Sequence, residues 1–299
     1  MIYTVTFNPA IDLVMRTAQL KSGEVNRANG EEMMFGGKGI NVSMVLREFG
    51  VESVALGFVA GFTGEAIERG VRSAGVKTDF IRLESGFSRI NVKIKAGDET
   101  ELNGTGPDIS ESALEKLLAQ LDGLQDGDTL VLAGSVPPSM PADIYERILA
   151  RLSDRGIRAA VDAQGELLRD VLKYRPYLIK PNDRELGELF GVEIESPAQA
   201  RQYAERLQSQ GARNVLVSMA EKGAVLLDEE GREHFCAACR GEVRNSVGAG
   251  DSMLAGFLAG AERGFDEALR LGTAAGGATA FSDELARRVD IERLLAQLA

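Results

Sequence analysis

The 299-residue chain has two cysteines and one histidine, and that scarcity narrows its chemistry. Cys236 and Cys239 form a C-x-x-C with His234 two residues earlier. A tetrahedral zinc site would want a fourth ligand, and a thioredoxin-like pair would open a helix. Here the pair closes the strand-like run EHFCAAC, so packing is its expected role.

Positive charge is also short. Thirty-four Lys and Arg against 45 Asp and Glu give a net charge of -11, which argues against nonspecific attraction to nucleic acid or to an anionic membrane. Any anionic ligand must be held by local cations. No run approaches the ~18 apolar residues that span a bilayer. The opening MIYTVTFNPAIDLVM has no basic leader and is interrupted by Pro9 and Asp12, so it reads as a first strand rather than a signal peptide, and a cytoplasmic location is expected. Internal repeats, low-complexity tracts and long linkers are missing too. A composition 44% hydrophobic and 26% charged, with only 8 Pro, fits one packed globular body.

What the chain has is alternation. Strand-like runs (IYTVTF, SVALGFV, TLVLAG, IRAAVDA) take turns with helix-period segments such as Ile40 to Phe49, Gly64 to Ala74 and Ile144 to Leu152. This pattern predicts an α/β fold with a mainly parallel sheet covered on both faces, and ligands at the carboxyl ends of its strands. NPAID, GSVPP, KPND and SMAEKG all follow strand-like runs. Two regions break the pattern. Residues 12–35 and 88–103 read as extended and partly polar, INVKIK alternates with period 2, and together they predict a small separate sheet hinged near Gly36 and Gly37. Such a flap could cover a substrate, or pair with another copy through its edges.

Two glycine-rich turns open helices. In NSVGAGDSMLAGF the small residues allow close backbone approach, and the first amides of a helix have no internal partner, so Gly248, Ala249 and Gly250 could cradle phosphate oxygens beside Asp251. The same residues also suit a plain turn with Asp251 as a helix cap. FGGKGIN, Phe35 to Asn41, is the second turn, and a hinge with no ligand is its alternative reading. Neither turn completes a P-loop or a dinucleotide-binding fingerprint, since Lys38 precedes Gly39 and the third glycine places hold Val42 and Met253.

Taken in series, NPAID, GGKGINV, the G-x-T-G at Gly61 to Gly64, GSVPP, KPNDREL and VGAGDS resemble the ribokinase-like, or PfkB-type, sugar kinases almost end to end. SRINVKI and ETELNGTGPDI look most like the bacterial branch acting on fructose 1-phosphate; kinases of tagatose 6-phosphate and fructose 6-phosphate are near relatives. The resemblance implies a three-layer α/β/α sandwich over residues 1–299 with a β-sheet lid from about 12–35 and 88–103. It implies ATP-dependent phosphorylation with magnesium, and a homodimer formed through the lid. A sugar-phosphate sensor that kept the fold is the non-enzyme alternative, against which Asp251, Asn182 and Glu185 argue, because binding alone needs neither a base nor a metal site.

Residue by residue, the resemblance makes Asp251 the base that takes a proton from the sugar hydroxyl, and Gly248 to Gly250 the anion hole. Asn182 and Glu185 match an N-x-x-E that holds magnesium, usually through water; an ordinary helix start capped by Asn182 is the alternative. Asp12, Gly37, Asn41 and Ser135 match sugar-hydroxyl positions. Arg89 and Lys38 are the candidates for the substrate's own phosphate, with Arg27 a further one on the flap, whereas Lys93 and Lys95 read as a solvated strand face. Nucleotide contacts would come from Lys180, Asn182, Ser218, Glu221, Gly223, Gly250 and Ala275. Several relatives carry an Asp near a monovalent cation six residues before the base; here that place holds Asn245.

Overall fold

The apolar runs become strands buried on both faces, and this determines the architecture. In the computed structural model, which describes residues 1–298, Leu130 and Leu132 enter one core while Val131 and Ala133 enter another on the opposite side. Val215 and Val217 part from Leu216 in the same way. Successive side chains of a strand point to opposite faces, so an unbroken apolar run needs cover on both. Helices supply that cover, and three layers result.

In chain order the strands among the described residues are β1 (Ile2–Thr6), β2 (Ala10–Arg16), β3 (Gly30–Gly36), β4 (Ser53–Ala60), β5 (Lys77–Leu83), β6 (Arg89–Ala96) and β7 (Asp98–Asn103). Then come β8 (Thr129–Ala133), β9 (Arg158–Asp162), β10 (Leu178–Ile179), β11 (Asn214–Ser218), β12 (Ala224–Leu227) and β13 (Glu233–Cys236). The main sheet has the order β13-β12-β11-β10-β9-β8-β1-β4-β5. It is parallel from β11 to β5, with an antiparallel edge formed by β12 and β13. The chain moves outward from β1 through β4 to β5, returns to β8 on the other side of β1, and then proceeds the opposite way. That reversal is a topological switch point, where the carboxyl ends of neighbouring strands leave a crevice.

A second sheet, in the order β3-β2-β6-β7, forms a lid. Its central pair is parallel, with Asp12 facing Asn91 and Val14 facing Lys93, while β3 and β7 are antiparallel edges. Residues 17–29, expected to be extended, contain turns and loop rather than strand. Among the described residues no helix is long and apolar enough to cross a membrane.

The two cysteines are free and packed, Cys236 buried at the end of β13 and Cys239 half-buried beyond it. Burial pushes both thiols up, Cys239 to about 11, which disfavours the reactive thiolate. His234 is occupied elsewhere, within 3.0 Å of Asp228 and 2.6 Å of Asp266.

Candidate active site

The two glycine-rich turns meet at the switch point. Gly37 starts the Lys38–Glu48 helix at φ 132°, where a side chain would meet Thr6 at 2.4 Å, and a methyl on Gly39 would come within 2.6 Å of the Val5 carbonyl oxygen. Both glycines therefore let this helix start directly against the end of β1. Its amides are anchored there, since the Ile40 N–H donates to Thr6 Oγ1 at 3.0 Å. Asn41, one residue on, donates from Nδ2 to Asp251 Oδ2 at 2.8 Å across 210 positions of sequence.

Asp251 lies in the first turn of the Ala249–Gly260 helix and is 4% exposed. Burial, with help from the nearby Asp162 carboxylate, raises its carboxyl to about 7; the Asn41 amide and the Lys38 and Lys180 cations oppose that rise without cancelling it. A carboxyl group poised there can take up a proton near neutral pH.

The helix start beside it is open. Ala249 N–H turns back to Ser246 O at 3.2 Å, and the first α-type bond runs from Ser252 N–H to Gly248 O. The amides of Gly248, Gly250 and Asp251 have no partner among the described residues. The three open groups are thus not quite the expected Gly248 to Gly250, because Ala249 is used in the turn. Lys180 adds to this positive end, for a methyl on Gly250 would lie 3.0 Å from its Nζ. A buried ammonium at the positive pole of a helix is an unfavourable arrangement unless an anion joins it.

Asp162, which belongs to none of the sequence motifs, partly compensates. Ending β9 and 2% exposed, it lies 3.4 Å from both Lys180 Nζ and Lys38 Nζ. Burial works against the charge on Lys38, but the carboxylates of Asp162, Asp251 and Glu185 outweigh it and raise its pKa. Only its place at a strand's carboxyl end marked Asp162.

These groups surround a cavity of about 410 Å³. Asp12, Gly37, Lys38, Asn41, Arg89, Lys180, Asn182, Glu185, Ser218, Gly248, Gly250 and Asp251 all line it. Ser135, Arg27, Glu221, Gly223 and Ala275 do not. Arg27 is exposed on a loop, Glu221 is exposed in the short 3-10 helix Ala220–Lys222, and Ser135 is exposed after β8. Gly223 closely abuts the Cys236 carbonyl, and Ala275 is fully buried in the core. Asn182 and Glu185 form a capping box at the start of the Asp183–Phe190 helix: Asn182 Oδ1 accepts from Glu185 N–H at 2.7 Å and Glu185 Oε2 accepts from Asn182 N–H at 2.9 Å. One Glu185 oxygen stays free of that box. A larger chamber of about 500 Å³ adjoins through Asp12, Asn41 and Lys93, but Asp251 does not line it.

The lid covers the cavity with the inward faces of β2 and β6. Arg89, Asn91 and Lys93 share one face by the strand's period of two, and Asn91 Nδ2 donates to Asp12 Oδ1 at 2.8 Å. Lys93 departs from its expected solvated setting, for it is 8% exposed and turned into the site. Lys95 stands outside the cavity. Arg89 donates from Nε to Asn8 O at 3.1 Å and has no carboxylate in ion-pair range among the described residues. Burial lowers its pKa, with Asp12 opposing.

A near-neutral carboxyl, an open helix start with lysine beside it and a lid carrying Asp and Asn side chains able to bond hydroxyls suit one class of reaction, transfer of a phosphoryl group to a polyol. Comparison with known proteins supports that class. The pfkB family carbohydrate kinase model matches residues 5–288. The chain is 46% identical to the 1-phosphofructokinase of Bacillus subtilis, covering 100% of this chain and 98% of that one. It is 36% identical to the D-tagatose-1-phosphate kinase of Bacillus licheniformis, over 100% and 98%. Among solved structures, phosphofructokinase-2 from Escherichia coli in complex with fructose-6-phosphate superposes with a TM-score of 0.91 at 27% identity, over 99% and 98%. The chain belongs to the pfkB family of carbohydrate kinases, and its sandwich with a β lid is the ribokinase-like fold.

The charges around Asp251 predict opposite shifts. Asn41→Ala removes a hydrogen bond that favours the carboxylate, so the Asp251 pKa should rise above about 7, whereas Asp162→Asn removes a repelling carboxylate and should lower it. Carboxyl carbon-13 NMR titration of the folded protein reads both; shifts of the same sign would refute this account of the site.

Proposed function

We propose that this kinase phosphorylates fructose 1-phosphate on its 6-hydroxyl, giving fructose 1,6-bisphosphate and ADP. The observation that carries the reading is a pair of separate cationic groups lining one cavity: Lys180 beside open amides at the Ala249–Gly260 helix, and the Arg89 guanidinium of the lid, which has no carboxylate in ion-pair range among the described residues. A substrate with a phosphate already attached satisfies Arg89, and the transferring phosphoryl group satisfies the helix start. The relatives named for 1-phosphofructokinase activity support the same substrate.

In this reading Asp251 accepts the proton of the 6-hydroxyl as that oxygen bonds to the γ-phosphorus, and the bond from that phosphorus to the bridging oxygen breaks. The amides of Gly248, Gly250 and Asp251, with Lys180, receive the charge that develops. Asp12 and Asn41 hold sugar hydroxyls, and Asn41 also fixes the rotamer of Asp251. Lys38 balances Asp162 and stands ready for a phosphate oxygen.

Magnesium fits this donor set as an ion shared with nucleotide phosphates rather than caged by protein, because no group of three or more His, Cys, Asp or Glu is placed to hold a metal among the described residues. Glu185, through its free oxygen, and Asn182 would hold it, and when bound it would neutralise the transferring phosphates. Of the nucleotide candidates, Lys180, Asn182, Gly250 and Ser218, at the end of β11, line the cavity.

A second substrate remains in view on one observation, the D-tagatose-1-phosphate kinase relative, whose named sugar differs from fructose at one carbon. A homodimer through the lid is also proposed: β7 is exposed along its whole length, and Met33 on β3 and Leu102 on β7 project apolar side chains into solvent. A second copy would cover those edges.

Three outcomes test these readings. Asp251→Asn should keep ATP and sugar-phosphate binding but lose a factor of about 10² to 10⁴ in kcat, read by a coupled ADP-release assay, and turnover within about threefold of the unaltered enzyme would remove the base role. Arg89→Ala should shrink the ratio of kcat/KM for fructose 1-phosphate to that for free fructose by roughly one to two decades, with KM for ATP nearly constant. An unchanged ratio would mean that the phosphate is held elsewhere. In sedimentation equilibrium the mass should be twice the 32.1 kDa of one chain, and a monomer at assay concentration would count against the lid dimer.

A further inference from the structure

Lys93 is the anomaly of the lid. Lysine is seldom buried so fully without a partner, and Lys93 has one, for its Nζ lies 3.3 Å from Glu101 Oε1, directly opposite on β7. The pair is turned inward. Both residues line the catalytic cavity, and Lys93 also borders the larger chamber. Lys95 offers a comparison within the same strand: it shares the face of Lys93, and its pair with Glu99 at 3.8 Å lies outside both cavities. A cross-strand pair serving only to join β6 to β7 is already present there.

We propose that Lys93 is a second phosphate-binding cation of the substrate site, and that Glu101 neutralises it until the sugar phosphate arrives. This rests on the reading of the chain as a kinase of sugar phosphates. A phosphate monoester carries about -1.5 to -2 charges near neutral pH, and Arg89 alone supplies one. Lys93 supplies the other without leaving a bare buried cation in the empty site. Residues four apart on a strand are separated by roughly 13 Å, so the heads of Arg89 and Lys93 approach a shared phosphate from either side of Asn91. On binding, the ammonium exchanges one oxygen partner for another. Glu101, whose side chain is 37% exposed, turns to water, and neither charge is stranded. A neutral sugar gives Lys93 no reason to leave Glu101, so the pair also discriminates against unphosphorylated substrates.

The test is titration of the full-length protein with fructose 1-phosphate in the absence of ATP, paired with steady-state kinetics, for Lys93→Met, Lys93→Arg, Glu101→Gln and the Lys93→Met/Glu101→Gln double variant. Lys93→Met should weaken sugar-phosphate binding about 10- to 100-fold while KM for ATP stays within about twofold, and Lys93→Arg should restore most of the loss. Glu101→Gln should tighten binding severalfold by releasing Lys93, and that gain should vanish in the double variant. The opposite signs separate ligand binding from lid packing, because a pair that only stabilised the lid would lose affinity in both single variants. Losses in both, or no change in either, would overturn the proposal. Should the unaltered chain turn over no ketohexose phosphate, the substrate reading fails on its own, and titration of the same four variants with inorganic phosphate still decides the role of Lys93.

Discussion

Two carboxylates, Asp162 and Asp251, are buried in one cavity, and the rest of the site exists to make that possible. Either one alone in a dry interior would be neutralised or would unfold its surroundings. Lys38 and Lys180 divide the compensation around Asp162, while Asp251 receives only the Asn41 amide at hydrogen-bond distance. Burial then leaves the Asp251 carboxyl raised to about 7.

The fold delivers these groups by backbone geometry. Asp162 ends β9 and Lys180 follows the neighbouring parallel β10, Lys38 and Asn41 come from a helix set against β1, and Asp251 comes from a helix on the same face as Val42 and Val45. No two of these segments are close in sequence. The glycines that allow the approach carry no charge, yet a methyl on Gly39 or Gly250 would press on a strand end or a charged group. Positions on rigid elements hold such geometry better than loops would.

Above this floor the lid works with a different economy. Its inward face is polar row by row: Arg89, then Asp12 with Asn91, then Lys93 with Glu101. Its other face is apolar, with Ile11, Phe35 and Ile90 packed against Ile40, Val59 and Ile67 of the main body, while Arg89 bonds Asn8 on the segment leading in from β1 and Asn91 bonds Asp12 within the lid. Asn91 Oδ1 has no partner and no water access, an acceptor left unsatisfied in this conformation. Because a carboxylate can only accept, the bond from Nδ2 to Asp12 fixes which way that amide faces.

Much of this was legible in the residue order. Unbroken apolar runs alternating with helical periods required a parallel sheet with two covered faces, and period-2 polarity at INVKIK required a sheet of another kind. The glycine turns marked the helix starts because few other residues allow such close backbone approach. Residue order did not separate Lys93 from Lys95, since both occupy the same strand phase and only the depth of the cavity beneath the sheet distinguishes them. Nor did it reveal Asp162, a single acid at the end of an ordinary strand, or show that Ala249 spends its amide on Ser246 while Asp251 keeps its own free. Periodicity is a property of neighbouring residues and survives in sequence. Charge balance depends on distances between segments far apart in the chain, and only tertiary packing sets those.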